Sequence, residues 1–171
     1  MVNLLRIDNA NLGLVSGWMG QEENYQWLDF GGGSHPLDPV ALRVMTQRDS
    51  HLLRLFTAAG GEAPIGLVAF SNLNRAFKTA LLWYVLGDKA YGGKGCTTRA
   101  VAQLLALGFR ELRLEAVHAW AVEANRASIR VLERNHFRLI GRQRRCHYVN
   151  GRPCDRLLFD LLYSEYGGLP S

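Results

Sequence analysis

The stretch GDKAYGGKGCTTRAV, Gly87 to Val101, lies between an apolar run, LLWYVL at 81–86, and a second one, RAVAQLLALGF at 99–109. In the second run Val101, Leu104, Leu105, Gly108 and Phe109 recur at i, i+3, i+4, i+7 and i+8, the pattern of one helix face. The first run reads as a strand. The stretch therefore carries the chain from a strand end into the first turn of a helix. That first turn leaves backbone N–H groups unpaired and carries a partial positive charge. Glycine lets the backbone approach a ligand without a side chain in the way. Gly93 and Gly95, with Lys94 adding charge and Thr97 and Thr98 adding hydroxyls, read as a phosphate cradle. They also read as a plain connector whose glycines serve turn geometry. The spacing is neither that of a P-loop nor that of the dinucleotide fingerprint, and no acidic residue follows at the end of the next strand.

Upstream, HLLRLFTA (51–58) and PIGLVAFSN (64–72) are β-type runs joined by the Gly-rich AGGEA. TALLWYVLG (79–87) follows after a polar turn, so an antiparallel meander of three strands is expected. Before it, LGLVSGWMG and ENYQWLDF read as short helical pieces, and GGGSHP at Gly31–Pro36 as a loop. DPVALRVMTQRD reads as a helix with Asp38 as N-cap and Pro39 in its first position. Downstream, RLEAVHAWAV is a strand. Strand–helix–strand order requires a crossover, so it should run parallel to LLWYVLG or at least neighbour it in one sheet. NRASIRVLERN is a second helix opened by Asn125, and Asn135-His136 can close it in place of a glycine. FRLIGRQRRCHYV, the turn at Asn150-Gly151 and CDRLLFDLLYSEY make a hairpin. The sum is an α/β or α+β fold with a mixed sheet of about six or seven strands and helices on both faces.

The 171 residues, 48% hydrophobic and 20% charged, fit a single domain over 1–171 with a sizeable core. No apolar run approaches the length of a membrane span, and Asp8 within the first residues speaks against a signal peptide. Cys96, Cys146 and Cys154 are far apart with no CxxC pair, which argues against a zinc site or disulfide framework. A reducing, cytoplasmic location is the expectation. The formal charge of +5 and pI near 9.4 fit an anionic partner, and equally no partner at all. Nothing in the chain matches an RRM, KH or helix-turn-helix signature, so nucleic acid is not the expected one.

A second candidate site lies thirty residues past the glycines, in WAVEANRASIRVLERNHF. Asn125 and Ser128, three apart at a helix start, face one side. They suit a capped helix as well as a ligand site. Taken together, the strand, GGKGCT, helix, strand and NxxSxxxL order resembles the GNAT superfamily of acyl-CoA N-acyltransferases, over roughly Pro64 to Tyr163. In the register of the family's pyrophosphate motif, Gly92 to Thr97, the central Gly95 matches and the end positions Gly92 and Thr97 depart. The contacts there are to main-chain N–H groups, which the departures leave in place. The closing YVNGRPCDRLLFDLLYSEY is similar to the branch that contains the ribosomal-protein N-terminal acetyltransferases.

The resemblance implies a V-shaped splay between the two parallel strands, LLWYVLG and EAVHAWAV, with acetyl-CoA as acyl donor and no metal. The pantetheine arm would follow the backbone of Val85 and Leu86. The pyrophosphate would sit on Gly93, Lys94, Gly95, Cys96, Thr97 and Thr98, and Asn125 would bind the arm from the other side. An amine would attack the thioester directly, with the N–H near Leu86 as oxyanion donor and Ser128, or a nearby Tyr, serving the leaving thiolate. Glu123 is the carboxylate nearest the region expected of a general base, and His118 lies within the second strand. Both also read as ordinary surface or packed residues. The acceptor, a protein N-terminus or a small amine such as an amino sugar or antibiotic, would lie among Trp18, Tyr25, Trp27 and Phe30 on one side and Arg142, Arg144, Arg145 and His147 on the other. By strand alternation Arg142 and Arg144 would share one face, Arg145 and His147 the other. The chain is expected as a monomer or homodimer. A catalytically idle GNAT-fold domain that binds an acyl-CoA or a partner protein is the alternative.

Overall fold

A computed structural model describes residues 2–30 and 37–167. The loop expected over Gly31–Pro36 lies outside the described residues. Seven strands form one sheet: β1 (Leu4–Arg6), β2 (Leu52–Thr57), β3 (Pro64–Asn74), β4 (Thr79–Leu86), β5 (Ala116–Val122), β6 (Arg138–Val149) and β7 (Arg152–Leu162). Their order is β1-β2-β3-β4-β5-β7-β6, and only β4 and β5 run parallel. The meander and the parallel crossover match the expectation. β1, three residues long, carries too little pattern to be seen in sequence.

Two layers of helices cover the sheet. On one face α1 (Leu12–Met19) and, beyond the short α2 (Glu22–Tyr25), α3 (Pro39–Thr46) pack Leu12, Val15, Trp18 and Leu42 onto Leu53, Leu55, Leu67 and Trp83. On the other, α4 (Cys96–Arg110) and α5 (Arg126–Arg134) pack Val101, Leu104, Leu105, Phe109 and Leu132 onto Val68, Phe70, Leu82 and Phe159. Covered on both sides, β3 is buried from Ile65 through Ser71 without alternation, the pattern of a central strand. The helix ends follow local rules. Asp38 Oδ1 accepts the Ala41 N–H at 2.7 Å, and His136 adopts φ 64° beyond the end of α5.

ENYQWLDF departs from its expected helix. Only its first three residues, 23–25, belong to the α-helix, α2. Beyond α2, Leu28 and Phe30 are drawn onto the Trp83 cluster instead of continuing the helical turn.

The register of the parallel pair positions the site. β4 and β5 pair at Thr79↔Ala116, Ala80↔Val117 and Leu81↔His118, and no further. β4 runs on to Leu86 beside β3, and β5 runs on to Val122 beside β7, so the two strands diverge. Both helices that follow, α4 and α5, start at this open end.

Candidate active site

The divergence opens a cleft of about 630 Å³. Its strand wall has a defined polarity. The Gly87 N–H donates to Ile65 O at 2.9 Å across the β3–β4 register. Backbone groups alternate sides along a strand. Val85 therefore turns its N–H and C=O toward β3, while Tyr84 and Leu86 turn theirs into the gap where no strand stands opposite. Val85 packs its side chain in the core against α1 and α3; the backbone edge facing the gap is that of Tyr84 and Leu86.

At the end of β4 the glycine turn takes the shape a cradle needs. A single 3₁₀ turn, Lys89–Tyr91, is capped by Asp88. Gly93 and Gly95 then adopt φ of 73° and 72°, a conformation that a side chain strongly disfavours. Gly95 is the N-cap of α4 and offers no side-chain cap, so the N–H groups of Cys96, Thr97 and Thr98 remain for a ligand. A Cβ on Gly93 would meet nothing within 4 Å, so it is the conformation, not crowding, that calls for glycine there. Gly93, Gly95, Cys96, Thr97 and Thr98 all line the cleft. Lys94 does not: its ammonium lies over the Tyr91 ring, 5.0 Å from the centroid. Arg99, unforeseen in the sequence, ties the turn by donating to Lys94 O at 2.9 Å. Arg130 and Arg134 of α5 add charge to the same cleft.

Across the gap Asn125 caps α5, its Oδ1 accepting the Ser128 N–H at 3.2 Å, and both residues line the cleft. Ser128 Oγ lies 2.8 Å from the Tyr84 hydroxyl, which also donates to Ser128 O at 3.0 Å. Burial pushes the Tyr84 phenol far above its ordinary pKa, with the Ser128 hydrogen bond opposing, so the hydroxyl keeps its proton.

Glu123 is placed elsewhere. It does not line the cleft; Oε2 accepts from Arg142 at 2.9 Å, and Arg142 also donates to Asp155 at 2.8 Å. His118 is exposed on β5, also away from the cleft. Among the described residues, the imidazole that lines it is that of His51, held 2.9 Å from Ser50 Oγ. Burial, and secondarily the Arg48 charge, lower its pKa.

The other half of the cleft is walled by Glu23, Asn24, Trp27, Asp29, Phe30, Trp83 and Trp120. Phe30 packs edge-on against Trp83 at 4.7 Å, and the buried Trp83 Nε1 has no hydrogen-bond partner. Of the other expected aromatics, Trp18 is core and Tyr25 is exposed. Lys89 reaches in to donate to Asn24 Oδ1 and, at 2.7 Å, to Leu86 O. Partial burial lowers its pKa, with Glu23 opposing. The arginine alternation expected on β6 fails, because the register shifts between Gln143 and His147 and Arg145 takes φ 51°. His147 is buried, its Nε2 against Gln26 O at 2.8 Å and its Nδ1 taking the Arg156 guanidinium at 3.0 Å.

A mixed sheet parted between two parallel strands, with a helix N-terminus at the end of one and a capped helix at the end of the other, is the architecture of the GNAT fold. Residues 5–138 match the acetyltransferase (GNAT) domain family, and the chain belongs to that family. Among curated proteins it is similar to Probable N-acetyltransferase YjcK of Bacillus subtilis, 38% identical over 98 residues, 57% of this chain and 53% of that one. The chain spans about half the length of the curated relatives it matches. Among solved structures it resembles spermidine N-acetyltransferase from Vibrio cholerae in complex with CoA and spermine, with TM-score 0.85 and 16% identity over 96% of this chain and 97% of that one. It also resembles Mycobacterium smegmatis RimJ in complex with CoA-disulfide, with TM-score 0.81 and 22% identity over 98% of this chain and 85% of that one. Among the described residues no cluster of His, Cys, Asp and Glu is disposed to hold a metal, and no helix is long and apolar enough to cross a membrane.

Proposed function

We propose that the protein is an N-acetyltransferase that moves the acetyl group of acetyl-CoA onto a primary amine by direct attack. The observation that carries this reading is the end of β4–β5 pairing at Leu81/His118. It leaves the backbone of Tyr84 and the N–H of Leu86 open beside the first turn of α4, while the Leu86 carbonyl accepts from Lys89. A chain of amides fits such an edge as an added strand would, and a pyrophosphate fits the free N–H groups of Cys96, Thr97 and Thr98. Family membership and the CoA complexes of the two structural neighbours support the same donor.

In this reading the Leu86 N–H stabilises the oxyanion as the amine adds. Ser128 donates a proton or hydrogen bond to the departing thiolate, and Tyr84 backs it. Asn125 fixes the first turn of α5 that carries Ser128. Glu23 and His51, both lining the cleft, are the candidates to take a proton from the amine. The acceptor, a protein N-terminus or a small amine, enters on the Trp27, Phe30, Trp83 and Trp120 side. Thiol release from acetyl-CoA across a panel of amines tests the proposal. Turnover with an amine, absent without one, supports it. Binding of acetyl-CoA without release for any amine points instead to a non-catalytic acyl-CoA-binding domain.

A further inference from the structure

The acceptor half of the cleft contains two settings suited to an ammonium group, and the chain fills both with its own cations. The first is an aromatic face beside a carboxylate: Trp120 and Asp29, both on the cleft wall. The Arg156 guanidinium lies 3.8 Å from the Trp120 ring centroid, and its Nη1 reaches Asp29 Oδ2 at 3.2 Å. An aromatic face and a carboxylate together are what would hold a substrate cation. The second is the pair of oxygens Asn24 Oδ1 and Leu86 O, which take the Lys89 ammonium next to Glu23. His147 accepts from Arg156 through Nδ1 at 3.0 Å and is itself held by Gln26 O at 2.8 Å, which fixes the guanidinium in place. Of the two carboxylates on the cleft wall, Glu23 and Asp29, the second is thus already paired. What remains is one carboxylate, Glu23, and the aromatic faces of Trp27, Phe30 and Trp83.

We propose that Arg156, with Lys89, makes the acceptor half discriminate against a second positive charge, so that the preferred substrate is a monocationic amine with an apolar or aromatic body rather than a polyamine. The proposal rests on the acetyltransferase reading. It assigns Arg156, which touches the cleft-wall residues Trp120 and Asp29 without lining the cleft itself, as a specificity-determining residue that acts by occupying a cation site and by repelling a further cation, an instance of selectivity built against the wrong ligand.

The test compares n-hexylamine with 1,6-diaminohexane, equal in length and different by one ammonium, as acceptors for the wild-type protein and for Arg156→Gln. Gln keeps a donor for His147 and removes the charge. The wild type is expected to favour hexylamine in kcat/KM by about tenfold or more. Arg156→Gln is expected to narrow that ratio, with the gain on the diamine side. A wild type that prefers the diamine overturns the proposal. So does a variant that loses both substrates equally, since that is the mark of a merely structural role. The two amines are also titrated into the protein by tryptophan fluorescence without acetyl-CoA. If the protein releases no thiol with any amine, the acetyltransferase reading fails on its own. The titration then decides the selectivity: tighter hexylamine upholds it, and equal or tighter diamine overturns it.

Discussion

The hydroxyl of Tyr84 on β4 lies 2.8 Å from Oγ of Ser128 on α5, joining the two walls of the cleft at a sequence separation of 44 residues. Tyr84 has one proton to give. If it goes to Ser128 O, the Ser128 hydroxyl is drawn toward the phenol. If it goes to Ser128 Oγ, the serine proton is free to face the cleft.

In the proposed mechanism the two residues act as one proton-donating unit on the thiolate. Ser128→Ala and Tyr84→Phe should each lower kcat by roughly 10- to 100-fold with little change in acetyl-CoA affinity, because the interaction develops in the transition state. The double variant should be no worse than the poorer single one. Independent, multiplying losses would show that the pair is not a unit, and unaltered turnover in Ser128→Ala would reduce Ser128 to a first-turn helix residue.

The glycine cradle separates conformational from steric effects. Gly93 and Gly95 share a positive φ, yet only Gly95 has a neighbour near its missing Cβ, the flexible end of Arg99 at 3.1 Å. Gly93→Ala should cost about 1 kcal/mol of fold stability through backbone strain alone. Gly95→Val, at the N-cap, should weaken acyl-CoA binding by about 2 kcal/mol or more as the first-turn N–H groups are blocked and re-aimed. Lys94→Ala should do much less, since its ammonium rests on Tyr91. Calorimetry alongside thermal unfolding reads both quantities. Normal binding by a destabilised Gly95→Val would make the turn a connector.

Asp155 gives the fold an acid-sensitive tie. The Arg142 guanidinium, and next the Arg145 N–H at 2.8 Å, hold its carboxyl below the ordinary value of 3.8. A carboxyl whose pKa is lower in the folded state contributes stability that is complete above its unfolded value and is lost as pH falls through the folded one. The Tm advantage of the wild type over Asp155→Asn should be constant near neutrality, shrink below about pH 4, and shrink also with added salt because the pair is exposed. An advantage that persists unchanged at about pH 2 would mean that packing, not charge, supplies it.

What could be read from sequence depended on the range of the interactions. The helix face of Val101, Leu104, Leu105 and Phe109, the Asp38 cap and the Asn150-Gly151 turn are decided within a few residues, and all three formed as expected. The glycine turn between β4 and α4 was visible for the same reason. Tyr84 was hidden because its partner lies on another element, and in sequence it is only one more apolar residue of LLWYVL. Arg156 and His147 were separated from their roles by a bulge. The register shift between Gln143 and His147 cancels the period-2 rule on which the arginine grouping rested. Glu123 stands beside the expected region in sequence, but its side chain turns to Arg142 and the Asp155 N–H, a pairing set by the β6–β7 register.

Glu123 and His51 therefore make opposite predictions about the base. Glu123 is outside the cleft and engaged by Arg142. Glu123→Gln should leave the shape of the pH–rate profile as it is. His51 lines the cleft, and burial lowers its pKa from 6.5, so the imidazole is neutral at neutral pH and can accept a proton. If it is the base, the acid limb of kcat/KM must lie below about pH 6.5, since activity is lost only once the lowered pKa is crossed from above. His51→Gln should remove that limb and lower turnover by about 100-fold, while acetyl-CoA binding, measured by calorimetry, holds. An acid limb that survives in His51→Gln would assign the proton to Glu23 on the cleft wall, to water or to the incoming amine itself. A limb that vanishes in Glu123→Gln instead would require the Arg142 pair to open during turnover.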